Sequence, residues 1–185
     1  MSFTLWFTGL PGSGKTTIAR LLRQKFIEAG SAVELIESDD MATHYRDLFS
    51  FDTKGRTIIA RNMAVCAELL NKHAIPVIAT GTTPLQKDRD QLRTVISSFV
   101  LVYCNASDVT VRARDPKGLY AMADRGVLPD FPGPGGLYEP PTNADIELDT
   151  EAMDKHQCVD HLIRAMRQRA LVPRLWPLPL INLTL

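Results

Sequence analysis

Residues 9–16 read G-L-P-G-S-G-K-T and follow directly on an apolar, β-branched and aromatic run at residues 3–8. The spacing G-x-x-x-x-G-K-[ST] between a strand and a helix is the phosphate-binding loop pattern, in which a tightly wound backbone aims successive N–H groups at phosphate oxygens. Gly9, Pro11, Gly12, Ser13, Gly14, Lys15, Thr16 and Thr17 are therefore the expected contacts to the polyphosphate of a nucleoside triphosphate. Lys15 would bring a point charge to the β- and γ-phosphates, and the Thr16 hydroxyl would ligate Mg²⁺. A glycine-rich strand-to-helix turn with no ligand would need neither the lysine nor the threonine.

A second group of reactive side chains is Glu37-Ser38-Asp39-Asp40, at the end of a second apolar run. Phosphoryl transfer needs an acceptor oxygen in line with the γ-phosphate, a metal ion and a carboxylate that takes the acceptor proton. Asp39 is assigned to that carboxylate. Acids at this point could also serve simply as helix caps, but capping alone does not call for three of them. Thr80-Gly81-Thr82-Thr83-Pro84 offers hydroxyls and a turn at the end of a third run. A stretch rich in Pro and Gly, about 112–142, opens with Arg112, Arg114 and Lys117. A long loop of this kind in a small domain reads as a lid that closes over phosphates and excludes water.

The elements that must position these groups alternate. Strands are predicted over 3–8, 32–37, 76–80, 99–104 and 145–148, and helices over 15–29, 56–73, 86–97, 108–114 and 151–169. Gly30 closes the first helix. The helix over 56–73 is expected to bury Ile59, Met63, Cys66 and Leu70. This order predicts an α/β fold, a parallel sheet flanked by helices on both faces, with ligands at the carboxyl ends of its strands. Residues 1–170 form one domain and 171–185 a Leu/Pro-rich tail, expected to pack along the domain or against a second subunit.

Composition narrows the class. Lys plus Arg and Asp plus Glu each number 21 in 185 residues, so no global field favours nucleic acid or an anionic membrane. No window has the length of a membrane-spanning helix, and the N-terminus lacks the pattern of a signal peptide. Cys66, Cys104 and Cys158 are widely spaced and read as small buried apolar residues, not as a disulfide or zinc framework. A cytoplasmic setting is expected.

Beyond the phosphate-binding loop, R-D-P-K-G-L-Y at 114–120, Phe131, L-Y-E-P-P at 137–141 and I-E-L-D-T at 146–150 resemble the adenylylsulfate (APS) kinase family. The resemblance runs from about residue 3 to 169. It implies a P-loop NTPase fold and transfer of the γ-phosphoryl group of Mg-ATP to the ribose 3′-hydroxyl of APS, giving PAPS. It also implies a homodimer. By the family pattern Asp39 acts near the acceptor hydroxyl and the metal, and the acceptor adenine lies between Phe51 and Phe131. Arg56, Thr83, Lys117, Gly118 and Leu119 complete the acceptor site, Arg114 joins the ATP contacts, and Lys15, Asp39 and Lys117 are the catalytic set.

The departures from the pattern cluster where the phosphosulfate should lie. Ala42 stands in place of an arginine, with Arg46 a candidate substitute one turn on, and Ile59 in place of an asparagine. The I-S-P-Y-R block becomes Thr82-Thr83-Pro84-Leu85-Gln86, and paired lysines become Ala121 and Met122. Charge-assisted hydrogen bonds are each worth roughly 1.5–3 kcal/mol, so these losses open a second reading. In it the chain phosphorylates another nucleotide-linked acceptor, for example a CDP-phosphoramidate-type nucleotide. A third reading is a catalytically silent nucleotide sensor, against which Lys15, Thr16, Asp39, Arg114 and Lys117 all speak.

Overall fold

The computed structural model describes residues 2–45, 48, 52–128, 130–133, 136–174 and 176. Five parallel strands form one sheet in the order β2-β3-β1-β4-β5: β1 (Thr4–Thr8), β2 (Glu34–Glu37), β3 (Val77–Thr80), β4 (Phe99–Asn105) and β5 (Ile146–Asp149). The helices are α1 (Lys15–Glu28), α2 (Ser38–His44), α3 (Thr53–Lys72), α4 (Gln86–Val95), α5 (Asp108–Arg114), α6 (Leu119–Asp124) and α7 (Lys155–Gln168). No described helix is long and apolar enough to cross a membrane.

The central strand β1 is buried on both faces, and its period of two divides the core. Phe3, Leu5 and Phe7 point into the layer shared with α1 and α7, where Leu22, Phe26, Leu162 and Met166 meet them. Trp6 points to the other side, against Ile59, Met63 and Ala67 of α3 and Leu92 of α4. The chain leaves β1 between β3 and β4, so the loop that follows opens at the point where the strand order diverges. That is where open α/β sheets bind ligands.

Several expected boundaries move, each for a local reason. Residues 38–44, expected as the rim of a strand, form α2, whose first turn carries Asp39 and Asp40, favourably placed for the helix dipole. α3 begins at Thr53 because Asp52 caps it, accepting from the Gly55 N–H at 2.8 Å. α7 begins at Lys155, not 151: Asp154 makes a capping box with Gln157. Glu151 instead accepts from the Ser107 N–H and hydroxyl at the start of α5. α6 breaks the stretch expected as continuous loop. Cys104 and Cys158 are buried, but Cys66 is exposed. Its helix buries the stripe Ile59, Met63 and Ala67, a spacing of four that leaves position 66 off the face.

Of the tail, Trp176 is buried against Phe26, ring centroids 4.2 Å apart, with its indole N–H donating to Ser31 Oγ at 3.1 Å. This matches packing along the domain. Residues 177–185 lie outside the described residues.

Candidate active site

A cavity of about 800 Å³ opens at the carboxyl ends of β1, β2 and β3. Pro11, Gly12, Gly14, Lys15, Thr16 and Thr17 form one wall. The loop winds as its glycines allow: Gly9 has φ +147, and a Cβ there would lie 2.5 Å from the Cys104 carbonyl oxygen. Gly12 has φ +80 and packs on the Val111 carbonyl, so neither position accepts another residue without displacement. Lys15 Nζ donates to the Gly9 and Leu10 carbonyls at 2.7 and 2.8 Å. Burial pulls its pKa down from 10.5 to about 8, with the Asp39 carboxylate opposing the shift.

The opposite wall carries Glu37, Ser38, Asp39 and Asp40. Glu37 is buried and takes both carboxylate hydrogen bonds from Arg20, at 3.1 and 2.5 Å, leaving Asp39 as the carboxylate turned to the lid. Lys117 forms an ion pair with Asp39 across the cavity mouth. Both side chains are more than half exposed, so the pair is of the kind worth at most about 1 kcal/mol and opens readily. At the far end Arg114 donates to the Thr150 carbonyl at 2.6 Å, and Met153 and Cys158 add apolar surface.

A second cavity of about 190 Å³ adjoins the first and shares Ser38, Asp39, Gly81, Thr82 and Lys117 with it. Its own lining is mostly apolar: Trp6, Ala42, Ile59, Met63, Leu128 and Phe131. Arg56 enters from α3 and donates to the Asp130 carbonyl at 2.8 Å, tying α3 to the lid. Phe131 lies edge-on to Tyr120, centroids 5.0 Å apart, and Tyr120 donates to the Pro11 carbonyl at 2.8 Å. Those two contacts tie lid and phosphate-binding loop together.

The expected residues thus divide. Pro11, Gly12, Gly14, Lys15, Thr16, Thr17, Asp39, Arg114, Lys117 and Leu119 line the large cavity. Arg56, Thr83 and Phe131 line the small one. Gly9 and Ser13 act inside the loop, and Gly118, at φ +65, caps α6 behind the wall. Phe51 and Arg46 lie outside the described residues. Sequence reasoning missed Trp6, Tyr120, the Arg20–Glu37 pair and Arg89. Arg89 is fully buried and donates to the carbonyls of Thr83, Pro84 and Glu139 at 2.8, 3.0 and 2.7 Å. A charged residue one turn into an amphipathic helix carries no signal of that role.

The donor set suits Mg-ATP. Ser13 Oγ is buried without a hydrogen-bond partner among the described residues, inside a loop whose backbone lines the cavity. The Thr16 hydroxyl and the Asp39 and Asp40 carboxylates are hard oxygen donors on that same cavity.

The family model for adenylylsulphate kinase matches residues 1–149. This chain belongs to the adenylylsulfate kinase family. The adenylyl-sulfate kinase of Rippkaea orientalis is 38% identical over 148 residues, covering 80% of this chain and 82% of the relative. That of Chloroflexus aurantiacus is 35% identical over 168 residues, covering 91% and 90%. Among solved structures, the APS kinase of Mycobacterium tuberculosis in complex with AMPPNP and APS aligns with a TM-score of 0.82 at 28% identity, covering 90% of this chain and 98% of that one. A P-loop kinase fold and the use of ATP with Mg²⁺ follow from family membership.

Proposed function

We propose that this chain transfers the γ-phosphoryl group of Mg-ATP to the ribose 3′-hydroxyl of APS, giving PAPS. The observation that carries the reading is the joining of two unequal cavities at Asp39 and Lys117. The larger takes the nucleotide triphosphate on the phosphate-binding loop, and the smaller takes part of the acceptor. Thr16 and Asp39 would hold Mg²⁺, which would supply neutralisation of the phosphate charge. Lys15 holds the phosphate oxygens, and Arg114 borders the far end of the ATP cavity. Asp39 accepts the proton of the acceptor hydroxyl as the hydroxyl oxygen bonds to the γ-phosphorus; the bond from that phosphorus to the β–γ bridging oxygen breaks and leaves its electron pair on the β-phosphate of ADP. Lys117, released from Asp39, moves with the lid onto the transferring group. Phe131 supplies one face for the acceptor base, and Arg56 a cation beside it.

One observation favours a different acceptor. Ala42, Ile59 and Met63 make part of the small cavity apolar, where the family pattern carries an arginine and an asparagine. A nucleotide whose remote end bears less charge than a phosphosulfate would suit that surface. A coupled ADP-release assay comparing APS with a panel of CDP derivatives separates the two. Turnover at micromolar APS supports the first reading; ATP binding with turnover only on a cytidine nucleotide supports the second.

The homodimer expectation also remains a proposal. Val65 and Leu69, one turn apart on α3, are 52% and 54% exposed, an apolar strip that a second copy would cover; sedimentation equilibrium reads the state. The cytoplasmic setting is inferred from three cysteines that are all free thiols.

A further inference from the structure

The loop between β3 and α4 is held more firmly than a surface turn requires. Alternate residues on one face of β1 reach it: Thr8 Oγ1 donates to the Thr82 carbonyl at 2.6 Å, and the Trp6 indole Nε1–H donates to Thr83 Oγ1 at 3.0 Å. From the other side Arg89 grips the Thr83 and Pro84 carbonyls. Between these anchors Thr83 sits at φ +40, a conformation that is strained for a β-branched residue and persists only where the surroundings over-determine it. Thr83 is buried, with a relative exposure of 6%, yet it lines the small cavity.

The hydrogen-bonding inventory then fixes what Thr83 presents. Indole nitrogen is a donor only, so Thr83 Oγ1 must accept from Trp6 and keeps its own proton to give elsewhere. Among the described residues no acceptor for that proton is found. Of the cavity lining, Ala42, Ile59 and Met63 accept nothing, and among the described residues the Thr83 hydroxyl makes no hydrogen bond to Ser38 or Asp39, the acceptors on the same wall. We infer that Trp6 is a positioning residue for the phosphoryl-acceptor site: it holds the Thr83 hydroxyl so that its proton points into the small cavity, toward an oxygen of the acceptor. The site would then prefer an acceptor with a hydrogen-bond-accepting oxygen at its inner end over one that carries a donor there.

This rests on the APS reading, and the test keeps the two apart. Wild-type protein is first assayed with APS; no turnover overturns that reading and this inference with it. Given turnover, Trp6→Phe and Thr83→Val are each expected to raise the APS KM about tenfold, the loss of one hydrogen bond to a charged group, while the ATP KM stays at the wild-type value. The double variant should be no worse than Thr83→Val alone, because both changes remove the same interaction. Thr83→Ser should recover most of the loss. An unchanged APS KM in Thr83→Val overturns the inference even if Trp6→Phe does not fold. Additive losses in the double variant overturn the positioning role of Trp6.

Discussion

At Lys15 an ammonium group is enclosed by the loop it serves, and burial holds its pKa near 8. Below that pH the side chain is the cation that phosphate binding needs; above it the free protein carries the neutral amine. Affinity for ATP should therefore fall as pH rises through about 8. Binding there should take up a proton, which calorimetry in buffers of differing ionisation enthalpy would detect; buffer-independent heats would contradict it. Lys15→Ala should lower kcat by about 10²-fold or more, the usual loss when a preorganised charge is removed from a transition state. Asp39→Asn should reduce kcat by about 10²–10⁴-fold, the range for removing a general base. Wild-type kcat in the asparagine variant would show that another group takes the proton.

Elements, not single contacts, set how the two cavities meet. The lid returns to the domain at Glu139, whose N–H donates to the Pro84 carbonyl at 2.9 Å while Arg89 binds its carbonyl. Replacing Arg89 by Leu would strand several buried carbonyls and should cost about 3 kcal/mol or more. Urea unfolding would show the loss as a lower midpoint, and the acceptor KM would rise with it. At the other side of the sheet, hydrogen bonds from Ser107 and Thr110 hold the Glu151 carboxyl at a pKa of about 2, below its ordinary 4.5. The charged form is the one favoured by folding, so this contribution is present above pH 4.5 and disappears as pH falls toward 2. The stability difference between wild type and Glu151→Gln should shrink over that window.

Across the whole molecule, the two layers on either side of the sheet have different tasks. On the α3–α4 side, Trp6 of β1 packs with Ile59 and Met63 of α3, and the same three residues line the small cavity, so packing and cavity wall are the same atoms. The α1–α7 layer is closed off by the tail at Trp176. Trp176→Ala should destabilise the domain by about 3 kcal/mol while leaving kcat and both KM values at wild-type levels. A change in acceptor KM would show that the two layers are coupled.

Local patterns carried much of this protein's organisation. Residues 9–16 named their own loop, because glycine spacing, lysine and threonine are demanded by phosphate geometry whatever surrounds them. The strands were legible as short apolar runs, since β1 and β3 are buried on both faces, and the long helices from a spacing near four. The short helices were not: α2 and α6 bury few residues and so leave little periodicity, and α2 begins among acids that also suit a strand's end. Tertiary structure alone decided which charges are free. Glu37 and Asp39 look alike in sequence, yet Arg20 on α1, 17 residues before Glu37, occupies one and leaves the other to Lys117. Likewise no local pattern couples Trp6 to Thr83, 77 residues apart, because a hydrogen bond between neighbouring strand ends depends on the order in which the sheet assembles them.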